Sequence, residues 1–158
     1  MKIKLLRVLF AFAVFTLASC ADPAQTKKFT TADLQKLRWI DGTWRGTGDV
    51  DKPFFERYRF ENDSVVTVDS FEDETLAKVT DTTRFELKDG EFGGGSQGSR
   101  YVAKSIDERA IEFAPAVNVS NSFRWERESN DVWKATIMLP ARGDKPAGQR
   151  VYKMERIK

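Results

Sequence analysis

From Gly42 to the C-terminus, apolar and polar side chains alternate with a period of two. That period belongs to strands with one buried face. Phe54, Glu56, Tyr58 and Phe60 share one face of the first clear run, and Phe55, Arg57 and Arg59 share the other. Val66 and Val68 alternate with Val65, Thr67 and Asp69, a run buried on at least one side. The sharpest alternation sets Val79, Asp81, Thr83, Phe85 and Leu87 against Thr80, Thr82, Arg84, Glu86 and Lys88. Phe123 and Trp125 oppose Ser122, Arg124 and Glu126. Trp133, Ala135, Ile137 and Leu139 oppose Lys134 and Thr136.

Turn residues punctuate these runs at Glu61-Asn62-Asp63, Asp73-Glu74, Lys88-Asp89-Gly90, Asp107-Glu108, Ser129-Asn130-Asp131 and Arg142-Gly143-Asp144. Short connections make sequential strands antiparallel neighbours and leave no room for crossover helices, so an α/β fold is excluded. The pattern predicts an all-β fold, an antiparallel up-and-down barrel of about eight to ten strands, because closure removes the edge strands. Before the strands, Thr31-Ala-Asp-Leu-Gln-Lys-Leu37 begins with a capping residue and spaces two leucines by three. This predicts a short N-terminal helix.

The first 19 residues read differently. Lys2, Lys4 and Arg7 precede an apolar run from Leu5 to Leu17, which ends in small residues. This is the layout of a secretory signal, too short for a permanent membrane helix. Leu17-Ala18-Ser19-Cys20 resembles the lipobox of bacterial lipoproteins. The resemblance implies cleavage before Cys20 and acyl chains on its sulfur and new N-terminus, an anchor of more than one chain. The expected organisation is a signal peptide over 1–19, a lipidated tether over 20–30 and a barrel domain over 31–158. Ala21 after Cys20 fits, in the enterobacterial sorting pattern, passage to the outer membrane, facing the periplasm.

Composition narrows the chemistry. Three of the 26 basic residues leave with the leader, which takes the formal charge from +2 to −1. The remaining charges are interspersed, with no footprint for nucleic acid. Cys20 is the only cysteine, so no internal disulfide forms. The chain has no histidine, and with it go the usual general base, the commonest transition-metal ligand and the usual haem ligand. No metal, cofactor or catalytic residue is expected, and Ser99, Ser120 and Ser122 have no histidine to build a triad.

The segment Leu34-Gln-Lys-Leu-Arg-Trp-Ile-Asp-Gly42-Thr-Trp44-Arg-Gly46 resembles the opening motif of lipocalins and other calycins. It is closer still to nitrobindin-like proteins and lipocalin-like envelope domains. The resemblance implies that Trp44, with Gly42 before it, plugs the closed end of a barrel, and that an arginine of the last strand packs over the indole. Arg150 and Arg156, which share a strand face with Tyr152 and Met154, are both candidates. Haem binding is not carried over, because nitrobindin-like proteins hold haem through a histidine.

The inward faces carry Phe54, Tyr58, Phe60, Phe85, Phe123, Trp125 and Trp133, a lining suited to a small apolar or amphipathic ligand. Glu56 and Asp81 fall on the same faces. A carboxylate inside a barrel needs a cationic partner, for which Arg127, Arg150 and Arg156 are available, or a raised pKa. Gly93-Gly-Gly-Ser-Gln-Gly98 reads as a flexible loop at the barrel mouth rather than a phosphate loop, since no Gly-Lys-Ser/Thr follows. The expected function is ligand binding by a membrane-anchored envelope protein. The alternative is a protein-binding envelope module or hydrolase inhibitor whose barrel is filled by its own side chains.

Overall fold

A computed structural model of the chain describes residues 28–158. The leader, the lipidation of Cys20 and most of the tether lie outside the described residues. Among the described residues packing is already present at Phe29, ahead of position 31: its side chain is buried and its N–H donates to the Gly90 carbonyl at 2.7 Å. Helix α1 (Thr31–Gln35) follows. Its N-cap is Thr30, one residue earlier than the sequence suggests. The Thr30 hydroxyl accepts from the Asp33 N–H, and the Asp33 carboxylate accepts from the Thr30 N–H at 3.0 Å, a reciprocal cap that satisfies two otherwise orphaned donors. A 3-10 turn (Arg38–Ile40) leads into the sheet.

Ten strands follow: β1 (Gly42–Gly48), β2 (Phe54–Asn62), β3 (Val65–Phe71), β4 (Val79–Lys88), β5 (Glu91–Gly95), β6 (Arg100–Ile106), β7 (Ala110–Val117), β8 (Ser122–Arg127), β9 (Val132–Leu139) and β10 (Gly148–Arg156). Each pairs antiparallel with its sequence neighbours, and β1 pairs with β10, so the sheet closes into a barrel. The alternation read from the sequence is the alternation of faces. At the β4–β5 hairpin Asp89 and Gly90 both take positive φ (55° and 86°), the primed turn that matches strand twist and favours Asp-Gly.

The barrel has one plugged end and one open end. Leu34, Leu37 and Ile40 are fully buried at the base beside Trp39 and Trp44. Each such aliphatic side chain contributes about 1.5–3 kcal/mol by leaving water. The Trp44 Nε1 donates to the Ile40 carbonyl at 2.7 Å. Over its ring, at 4.1 Å, lies the guanidinium of Arg156. The same guanidinium donates to the carbonyls of Asp41 (2.7 Å), Trp39 (3.0 Å) and Asn130 (3.2 Å). Gly42 makes this possible: a Cβ there would sit 2.2 Å from Arg156 Nη1, and its φ of +130° suits glycine.

Arg150 does not share this role. It lies six residues earlier on β10, roughly 20 Å along the strand. There it is more than half exposed and 3.5 Å from Asp49. Parity alone makes the two arginines equivalent; only their height in the barrel separates them.

Strand β3 is buried on both sides, beyond the one side its pattern requires. Inside, Val66 and Val68 join the core. Outside, Asp69 accepts from Arg59 at 2.6 Å and Thr82 at 2.9 Å. Phe71 stands opposite Phe55 and under the Arg57 guanidinium, 5.0 Å from its ring centroid. Long arginine stems thus cover an outer apolar strip while their heads stay in water.

Candidate functional site

Above the plugged base the barrel encloses a cavity of about 580 Å³ that opens between the loops at the far end. Its walls are the inward faces of β2, β3, β4, β6, β8, β9 and β10. Trp133 is the hub, with ring centroids of Trp44, Tyr58 and Trp125 at 5.9, 5.5 and 5.8 Å in edge-on contacts. Phe85, Phe113 and Phe123 extend the cluster around Trp125. The edge-to-face pairs among these, such as Phe85–Trp125 and Phe113–Trp125, are favourable.

Near the rim, the tip of the Phe54 ring lies over β1 at Gly46. A Cβ on Gly46 would sit 2.1 Å from the Phe54 ring, so the glycine is the floor on which that ring rests. Phe54 also meets Tyr152 edge-on at 5.6 Å. Across the mouth, the Tyr101 hydroxyl donates to Asn121 Oδ1 at 3.1 Å. Of the five exposed large apolar residues among the described residues, Val50, Val79, Val117 and Leu139 lie at strand ends or loops of this open end, and Val151 lies within β10.

One ionisable pair stands in the wall. The Tyr58 hydroxyl donates to Glu56 Oε2 at 2.7 Å. Glu56 is half-buried and lines the cavity, so the exposed part of its surface faces that space. Burial pushes its carboxyl above the ordinary range, and the Tyr58 hydrogen bond partly offsets this. Burial, reinforced by the neighbouring carboxylate, also holds the Tyr58 phenol well above its ordinary value. The pair therefore keeps the tyrosine proton pointing at one carboxyl oxygen.

None of the three arginines considered as partners reaches Glu56. Arg150 goes to Asp49, Arg156 to the base carbonyls and Asp131, and Arg127 to the Ser129–Asn130 turn. Each lies on an end or outer surface, and only the cavity-side alternative of a raised pKa remains.

The structure gathers Phe54, Glu56, Tyr58, Phe85, Phe123, Trp125 and Trp133 around the cavity. Two sequence candidates are elsewhere. Phe60 sits near the base, where the Arg38 guanidinium covers its ring at 4.2 Å. Asp81, opposite Ser70, lies outside the cavity wall. Both have the correct parity but the wrong height. The glycine run also divides: Gly93, Gly94 and Gly95 belong to β5, and only the turn over 96–99 bridges to β6. A Cβ on Gly94 would lie 1.9 Å from the Arg84 carbonyl, so close strand approach accounts for the run.

Tyr101, Asn121, Tyr152 and Met154 also line the cavity. Tyr152 and Met154 share the face of Arg156, a usable signal. Tyr101 was hidden because β6 slips register against β7 at two places, which breaks the alternation.

No Lys or Arg among the described residues lines the cavity, and no three acidic, Cys or His side chains gather to hold a metal ion. No protein-family model matches this chain, and no curated protein matches it either.

Proposed function

We propose that this chain is a lipocalin-like lipoprotein of the bacterial envelope that holds one small apolar or amphipathic molecule in its barrel. Acyl chains on Cys20 anchor it, at the outer membrane facing the periplasm. The observation that carries the reading is the open cavity of about 580 Å³ walled by Phe54, Phe85, Phe123, Trp125 and Trp133, within the usual size range of small-molecule sites. Trp44 under an arginine of the last strand supports the calycin likeness. The alternative, a protein-binding module or hydrolase inhibitor, calls for a filled barrel, and the open interior weighs against it.

Native mass spectrometry of protein taken from the membrane fraction tests the reading. The expected result is a bound small molecule at one per chain, lost in Ala135→Trp, which fills the wall. A ligand-free chain that instead co-purifies with one stoichiometric protein would favour the alternative. Cys20→Ser is expected to move the chain from the membrane to the soluble fraction.

A further inference from the structure

Resting on the ligand-binding reading, we infer that the cavity selects an organic cation: a protonated amine carrying a flat or compact apolar body, with Glu56 as its counter-ion. Three observations converge on this chemistry.

The first is the sign of the wall. Glu56 is its only carboxylate, and neither Lys nor Arg lines it among the described residues. An anionic head group entering this space finds no cation and meets a carboxylate instead, which is unfavourable in a low-dielectric site.

The second is the hydrogen-bonding geometry. Tyr58 occupies Glu56 Oε2 at 2.7 Å, and no other hydrogen bond to the Glu56 side chain is formed by the described residues. A carboxylate accepts at both oxygens. The remaining oxygen is an acceptor beside empty space, so its complement is a donor on the ligand. A charged donor makes the stronger bond.

The third is the material around it. Tyr58, Trp125 and Trp133 are in ring contact with one another, and all three wall the cavity with Glu56. Aromatic rings attract ammonium groups and discriminate against anions. The upper wall of Phe54, Phe123 and Ile137 is apolar and suits the body of the ligand.

The raised Glu56 pKa is consistent: burial makes the carboxyl resist ionisation, and an ammonium supplies the counter-charge that favours it.

The experiment compares three ligands sharing one body: 2-(2-naphthyl)ethylamine, 2-(2-naphthyl)ethanol and 2-naphthylacetate. Binding is measured at pH 7.4 by quenching of tryptophan emission. The lipidated protein is held in zwitterionic nanodiscs, with empty nanodiscs as the blank. The expected order is amine, then alcohol, then acid, with at least ~10-fold between amine and acid. Glu56→Gln is expected to abolish the advantage of the amine over the alcohol. An amine no tighter than the alcohol, or one indifferent to Glu56→Gln, overturns the inference while alcohol binding keeps the cavity reading intact. Failure of all three ligands to bind overturns both. If Glu56→Gln loses the alcohol as well, the wild-type order decides, and an acid that equals or exceeds the amine overturns the inference.

Discussion

The guanidinium of Arg156 lies 4.1 Å over the Trp44 ring and ties together carbonyls from two segments, Trp39 and Asp41 on one side and Asn130 on the other. One side chain thus locks the end of the 3-10 turn to the β8–β9 turn and lids the plug. Arg156→Ala leaves these carbonyls without their donor and removes the cation over the indole. The expected loss is about 3 kcal/mol in urea unfolding. Arg156→Lys restores a charge but not a planar fork, so it recovers only part of the loss.

Trp44 and Trp39 are both buried, yet only Trp44 has an acceptor for its indole N–H. The N–H of Trp39, like that of Trp133, is buried without one among the described residues. Replacing either by Phe removes a similar volume. Trp44→Phe also breaks a bond and strips the Ile40 carbonyl of its donor, whereas Trp39→Phe discards an unpaired donor. Trp44→Phe should therefore destabilise by about 1–3 kcal/mol more than Trp39→Phe. Equal midpoints and slopes in denaturant would refute this.

Gly46 and Phe54 form a pair in which the absent side chain of one is the seat of the other. Gly46→Ala expels the ring. It is expected to cost about 1–3 kcal/mol as overpacking. In the Phe54→Ala background the same change should be nearly silent. The double-mutant cycle then gives a coupling of roughly the single-mutant cost, and additive effects would contradict the contact.

Glu56 makes stability fall as pH rises. Its folded pKa is raised above the ordinary 4.5, so the folded chain holds the proton more tightly than the unfolded chain. The contribution is complete below about 4.5 and is lost as pH climbs through the folded value. The difference in unfolding free energy between wild type and Glu56→Gln should shift against the wild type as pH rises above 4.5. Asp33, Glu61, Asp73 and Glu155 have lowered values and act in the opposite sense at acid pH, but they are common to both proteins and cancel. A difference that is flat across pH 4–8 would show that Glu56 has no altered affinity for its proton.

Which face each strand turns inward was legible along the chain at Phe54–Phe60 and Val79–Leu87, because side-chain direction in a strand follows parity and parity is local. The Gly42–Trp44 motif likewise announced the plug. Height was not legible. Phe60 and Asp81 share parity with Tyr58 and Thr83 but lie below or outside the cavity wall. The bulge at Lys104 in β6 erased the signal of Tyr101, since one extra residue inverts the faces beyond it.

The sequence by itself determined an all-β chain of short antiparallel strands and most of the aromatic lining, and its opening motif, through the calycin resemblance, implied the tryptophan that stoppers one end. Each of these is encoded within a few residues by alternation, turn chemistry or a short motif. Tertiary structure alone decided that Arg156 rather than Arg150 covers Trp44, that the interior holds open space, and that Glu56 meets Tyr58 instead of an arginine. The physical reason is closure. The β1–β10 register brings Trp44 opposite Arg156, more than a hundred residues away, and no local pattern sets the height at which two such distant strands meet.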